Sequence, residues 1–214
     1  MCYHTIQSKL AKQIERRFNA VFCEPNLFQP SNHLNGFAFP KMPVITSENP
    51  VIIEQYNWGL IPDWSKNQDI RALTLNAKIE TLSEKPSFKN VTHQRCMVLA
   101  SGFYEWQWLD SKGKNKVKYQ LGIKDEALFA FAGLYSHWKD DLTNEVVKTF
   151  TIVTTEANAL MSEIHNIKKR MPVILRPEDE QKWLHHEPFE KFAFPYEADL
   201  VAKNLEIQGE LRLF

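Results

Sequence analysis

The sequence has no apolar run approaching the length of a membrane-spanning helix, so a helical integral membrane protein is excluded at the outset. Its first residues, Met1-Cys2-Tyr3-His4-Thr5-Ile6-Gln7-Ser8-Lys9, lack the basic-then-apolar order of a secretory signal. It has no excess of charge either: 26 Lys plus Arg stand against 26 Asp plus Glu. No global field therefore draws the molecule to nucleic acid or anionic lipid, and any such contact must come from local clustering. Cysteine is scarce. The three present, Cys2, Cys23 and Cys96, are odd in number and far apart, which fits a reducing compartment better than a disulfide framework. Internal repeats and low-complexity segments are absent. These absences lead us to expect a soluble cytoplasmic protein, with a monomer as the default state and no cofactor.

The 214 residues, 43% hydrophobic and 12% aromatic, suffice for one core without staples, so residues 1–214 are expected to form a single domain. Leu10, Ile14, Phe18 and Val21 recur at helical spacing behind Ser8, a natural cap, so the pattern predicts a helix just after Cys2. From Pro25 to Pro50, prolines and polar residues are mixed with Phe28, Phe37, Phe39, Met42 and Ile45, which reads as an ordered loop ending in an extended segment. Strands are expected at 51–56, 96–100, 104–109, 116–123, 128–134, 146–153 and 171–175. The turn residues of 110–115 and 140–144 join two pairs of them as hairpins. Helices are expected at 157–164 and 177–185, the latter opening with Pro177 and an acidic first turn. The expected fold class is α+β: a single domain built on a curled, mainly antiparallel, barrel-like β-sheet with peripheral helices.

Cys2 stands out by position. Removal of Met1 would expose an α-amine, with a pKa of roughly 7.7 to 8.0, two carbons from a thiol with one near 8.5. An amine condenses with an aldehyde to a Schiff base, and the neighbouring thiol can close on the imine carbon to form a five-membered thiazolidine. A chain that keeps Met1 carries its amine on methionine and is chemically unready. Chance also puts a cysteine at position 2 in some chains. Metal binding is the other use for such residues, through Cys2-x-His4 and His185-His186. No second pair stands at a usual zinc spacing, so no metal is expected.

Further along the chain come Trp58-Gly59-Leu60-Ile61-Pro62-Asp63-Trp64, Asn76-Ala77-Lys78-Ile79-Glu80-Thr81, Gly102-Phe103-Tyr104-Glu105-Trp106 and a segment from His165 to Leu175. Together with Met1-Cys2, this ordered set resembles the SOS-response-associated peptidase (SRAP) family. The resemblance implies removal of Met1 and a bond from Cys2 to the sugar of an abasic site in single-stranded DNA, within the DNA damage response. It also assigns active positions to Asn76, Glu105 and His165.

Each of the three has a chemistry that suits such a role and a bland alternative. The Asn76 amide can hold the amine or the opened sugar, or it can cap a helical turn. Glu105 lies in an aromatic strand where burial would raise its pKa and let it shuttle protons, or it can point to solvent. His165 could protonate the sugar ring oxygen, or simply end a helix whose dipole favours it. For DNA contact the candidates are His4, Trp64, Lys66, Arg71, Lys78, Trp106, Lys168, Lys169 and Arg170. Cations along the phosphates with aromatic faces for the bases are how single strands are held.

This sequence departs from the family pattern in four places. Tyr3-His4 stand where many relatives have Gly-Arg, and Lys78 stands for an arginine, losing bidentate geometry. Gly36-Phe37-Ala38-Phe39-Pro40 keeps only the proline of the usual loop. Extra residues separate His165 from Arg170. Three functions stay open: a covalent abasic-site sensor, a thiol autopeptidase acting on its own Met1-Cys2 bond, and a non-covalent single-strand binding module in which Cys2 is incidental.

Overall fold

The computed structural model describes residues 2–206, apart from the side chain of Glu126. The chain runs β1 (His4–Gln7), α1 (Ala11–Phe18), β2 (Val21–Phe22), β3 (Ser31–Asn35), β4 (Lys41–Thr46), β5 (Ile52–Trp58) and β6 (Asn76–Lys78). It continues through β7 (Arg95–Ala100), β8 (Gly102–Trp108), β9 (Lys116–Ile123), β10 (Phe129–Lys139), β11 (Val146–Glu156) and α2 (Ala159–Ile164). The last elements are β12 (Arg170–Pro172), β13 (Ile174–Leu175), α3 (Glu180–Leu184) and β14 (Leu200–Asn204).

Five of these strands close on themselves. β5, β4, β7, β10 and β11 pair antiparallel in that order, and a parallel contact between β11 and β5 completes the ring. The result is a mixed barrel carrying β2, β6, β12 and β13 as additions. Closure removes the exposed edges that an open sheet of this length would present. A second, five-stranded antiparallel sheet, in the order β14-β9-β8-β1-β3, lies against it. The chain passes from barrel to sheet between β7 and β8, where the Ser101 amide donates to the Ile6 carbonyl at 2.8 Å. The α+β barrel-like expectation holds.

The hairpins form where the turn chemistry places them. The Asp110 carboxylate accepts from the amides of Lys112, Lys114 and Asn115, which replaces backbone pairing at the tip between β8 and β9. Segment 25–50 ends in the expected extended segment, which is β4, and differs in holding a second strand, β3, within the expected loop. β4 is buried on both faces from Met42 onward and so shows no alternation to read.

The first helix also differs from its sequence reading. Ser8 does not cap it: the Ser8 hydroxyl lies 3.2 Å from that of Ser101, and the Gln13 side chain accepts from the Leu10 amide at 2.9 Å instead. Ile14 and Phe18 are buried, whereas Leu10 precedes the helix and Val21 follows it, both exposed. Asn19, at φ 49°, ends the helix in the left-handed conformation, and that turn carries Val21 off the stripe.

Gly59 follows β5 at φ +103°, and a Cβ there would stand 2.9 Å from the Arg71 Cβ. Both backbone angle and space demand glycine at this point. Gly59→Ala is expected to cost about 2 kcal/mol, the scale of a strained backbone position, read as a lower urea midpoint with an unchanged m value.

Among the described residues no helix is long and apolar enough to cross a membrane, and Cys2, Cys23 and Cys96 are free thiols.

Candidate active site

Cys2 enters just ahead of β1 and is fully buried, in an apolar cluster with Met42, Trp58, Leu75 and Phe103. Burial, and then the charge of Glu105, push its thiol well above the ordinary range. With its nitrogen in the peptide bond to Met1, this cysteine offers no free amine. Met1 itself lies outside the described residues.

Asn76 reaches the same point from β6, which runs parallel to β11 with Asn76 opposite Ile152. It begins a strand and does not cap a turn. The approach is fixed by Trp58, whose indole donates to the Leu75 carbonyl at 2.8 Å and whose ring stacks on Phe150. The Asn76 Nδ2 donates to the Cys2 carbonyl at 2.9 Å. Its Oδ1 is buried and has no hydrogen-bond partner among the described residues, which leaves an acceptor aimed into the site.

Glu105 lies on β8 and is 6% exposed. Burial raises its pKa to about 7, so near neutrality it holds and releases a proton with equal ease. It is close enough to Cys2 and Tyr3 for its charge to raise both of their pKa values, after burial itself.

His165 ends α2. Its Nδ1 accepts from the Arg170 amide at 3.1 Å, which assigns the ring proton to Nε2. Burial lowers its pKa to about 4, so the neutral ring offers a hydrogen bond and not a mobile proton. α2 is held onto β8 by Asn166, which donates to the Trp108 carbonyl at 2.8 Å and accepts from the Trp108 amide at 3.2 Å. Gln107 adds a bond to the Glu163 carbonyl at 3.2 Å.

The expected DNA-contacting residues separate into groups. His4 and Trp106 meet edge to face, with ring centroids 4.8 Å apart. Lys78, Lys168 and Lys169 are exposed, on β6 and on the loop after α2. Trp64 and Lys66 are exposed on another loop, where the Trp64 indole donates to the Pro86 carbonyl at 3.1 Å. The two arginines are engaged in the fold. Arg71 lies 4.3 Å over the Phe39 ring and donates to the Trp58 carbonyl at 3.3 Å. Arg170 forms a two-pronged ion pair with Glu80, at 2.9 and 2.8 Å, and also donates to the Thr154 carbonyl at 2.8 Å. Replacing Arg170 by Ala is expected to lower stability by about 2 kcal/mol, whereas Lys168→Ala stays within about 0.5 kcal/mol. Urea denaturation of the two variants measures the difference.

The sequence reading missed Tyr3 and Phe37, whose rings lie 4.9 Å apart beside Cys2, and His33, whose Nε2 lies 2.8 Å from the His4 Nδ1. Register supplies the only signal for them. β1 places His4 opposite Asn35 and Tyr104, a pairing with no trace in local spacing.

Residues 1–206 match the family described as SOS response associated peptidase (SRAP). The chain belongs to the SRAP family. It is 45% identical over 148 residues to the abasic site processing protein YoqW of Bacillus subtilis, a match spanning 66% of this chain and 63% of YoqW. The abasic site processing protein HMCES of Xenopus tropicalis is 31% identical over 153 residues, 62% of this chain and 45% of that protein. The matched stretch thus spans less than two thirds of these SRAP relatives. A crystal structure of a Bacteroides thetaiotaomicron protein superposes with a TM-score of 0.85 at 35% identity, covering 95% of this chain and 91% of the other. A Bordetella bronchiseptica protein shares the fold, with a TM-score of 0.77 at 23% identity.

Proposed function

We propose that this SRAP protein senses abasic sites in single-stranded DNA and, once Met1 is removed, bonds to them covalently through Cys2. The observation that carries the reading is the grip on residue 2: its carbonyl is held by Asn76, whose second amide atom is a buried acceptor without a partner among the described residues, beside a carboxyl group with a pKa of about 7. The names of the relatives, abasic site processing proteins, point the same way.

Removal of Met1 gives Cys2 a free amine, and the Asn76 Oδ1 accepts from it. The amine attacks the aldehyde of the ring-opened sugar, and loss of water leaves an imine. The thiol then adds to the imine carbon while its proton passes to nitrogen, closing the thiazolidine with one water released overall. Glu105 carries the protons, taking one from the attacking amine and returning it to the departing hydroxyl. His165, neutral and protonated on Nε2, hydrogen-bonds the sugar oxygen as the ring opens. Lys78, Lys168 and Lys169 contact phosphates, and Trp106 and His4 face the neighbouring bases. Trp64 and Lys66 extend the contact, while Arg71 and Arg170 act by holding the backbone of the site.

Mixing the protein with an oligonucleotide that carries one abasic site tests this. The expected product survives denaturation and weighs the Met1-free chain plus the DNA less one water. Equal affinity for intact and abasic strands with no adduct would instead select a non-covalent single-strand module.

A thiol autopeptidase acting on the Met1-Cys2 bond is compatible with the cross-link and is supported by the closeness of Glu105 to Cys2. Mass measurement of Glu105→Gln reads it: retained Met1 marks self-processing, and normal removal marks a separate aminopeptidase.

A further inference from the structure

The five-stranded sheet has two unlike faces. In antiparallel pairs, directly opposed residues share a face and successive residues alternate. The face that carries Glu105 also carries Phe103, Leu121, Tyr119 and Leu200, and it packs on the apolar cluster around Cys2.

The opposite face starts at His4 and Trp106 and holds His33, Tyr104, Trp108, Lys116, Lys118 and Lys203. Its groups already touch one another. The His33 and Tyr104 rings meet edge to face at 5.6 Å. The Lys118 Nζ lies 3.9 Å from the Tyr104 ring centroid and 5.6 Å from that of Trp106, and the Lys116 Nζ lies 4.6 Å from that of Trp108. Lys203 stands opposite Gln120 on the adjoining strand. Within the five strands Glu105 is the only acidic residue, and it points to the other face. A chain with no net charge has therefore gathered lysines, imidazoles and indoles on one face, and its strands place no carboxylate there; Asp125, on the loop after β9, lies beside Lys203.

We infer that this outer face is a track for single-stranded DNA flanking the lesion, in which Tyr104 and Trp106 stack on unpaired bases while Lys116, Lys118 and Lys203 neutralise phosphates. The inference rests on the abasic-site reading for its starting point, since the track begins at His4 beside Cys2. Charge complementarity and continuity with that site select the occupant. Aromatic faces interleaved with cations suit unpaired bases, whereas a duplex buries its bases and engages cations alone. From His33 to Lys203 the face crosses five strands, about 19 Å at the usual strand spacing.

The test uses the full chain, a fluorescein-labelled thymidine oligonucleotide without a lesion, its duplex form, and the variants Lys116→Gln/Lys118→Gln/Lys203→Gln and Trp106→Ala. Because the triple variant leaves three phosphates without their cations, its slope of log affinity against log salt is expected to fall by about 2. Trp106→Ala is expected to weaken single-strand binding about tenfold, the scale of one stacked base, with little effect on duplex. Wild-type affinity and slope in the triple variant overturn the track. A Trp106→Ala loss equal for both forms, or none, overturns the stacking. Adduct formation on an abasic oligonucleotide at saturating concentration is read in parallel. If variants lose affinity while wild type forms no adduct, the track stands and the cross-linking reading falls. If the variants match wild type in binding while adducts form, the reverse holds.

Discussion

Cys2→Ala, in protein freed of Met1, is expected to form less than about 1% of the heat-stable adduct that the wild type forms on an abasic oligonucleotide, because ring closure by a held thiol is what makes the bond durable. The amine remains, so the first step survives. A Schiff base should therefore accumulate reversibly, and borohydride should trap it at a level near that of wild type. Cys2→Ser should behave similarly, with a hydroxyl that is a far weaker nucleophile than a thiol. These outcomes separate amine and thiol roles in one denaturing gel. A heat-stable adduct at wild-type yield from Cys2→Ala would remove the thiazolidine from the mechanism. Failure of borohydride trapping would remove the amine.

Glu105→Gln is expected to slow adduct formation by about 10²-fold or more, the usual contribution of a positioned proton carrier. It should also abolish the inflection expected of the wild type near pH 7, where burial places the Glu105 pKa. The same burial acts on stability with a definite sign. Because its folded pKa is raised above the ordinary 4.5 to about 7, the folded chain retains a proton that the unfolded chain releases. Stability from this group is full below pH 4.5 and is lost as pH rises through 7, by about 3 kcal/mol in all. Glu105→Gln has no proton to lose, so at pH 8 it should be the more stable protein while being the slower one. Urea denaturation at pH 5 and pH 8 reads the slope, and a slope in the variant equal to wild type would show that Glu105 is not its source. His165 works at the acid end: its folded pKa is lowered to about 4, so its contribution is present above 6.5 and disappears as pH falls through 4. The pH 5 to 8 comparison therefore carries a smaller opposing term from His165, the same in both proteins.

The Glu105 prediction places a functional group where it costs stability, since a carboxyl group buried near its neutral form is a poor choice for a core. The Cys2 thiol, kept neutral by burial, packs there without that cost. At a site that must move protons around an imine they are suitable, and the apolar cluster of Trp58, Phe103 and Phe150 supplies the rigidity that holds them.

The sequence by itself determined the strand and hairpin pattern, the exceptional position of Cys2 and, through ordered motifs, the family. These features are local or ordered along the chain. Turn residues at 110–115 and the apolar runs of β7 and β10 declare themselves within a few positions. Tertiary structure alone decided the rest. β4 and β6 carry no periodic signal, since burial on both faces or a length of three residues erases alternation, yet β4 is a barrel stave and β6 delivers Asn76 to Cys2. Arg71 and Arg170 look like phosphate contacts in the sequence, but carbonyls and Glu80 from distant segments hold their terminal guanidinium nitrogens. The two faces of the outer sheet are likewise invisible until register is known, because a shift of one residue would turn Glu105 outward and Trp106 inward. Pairing across the chain is set by the closure of the barrel and the packing of the sheet upon it. That is why residue 2, plain in the sequence, acquires its neighbours at 76 and 105 only in three dimensions.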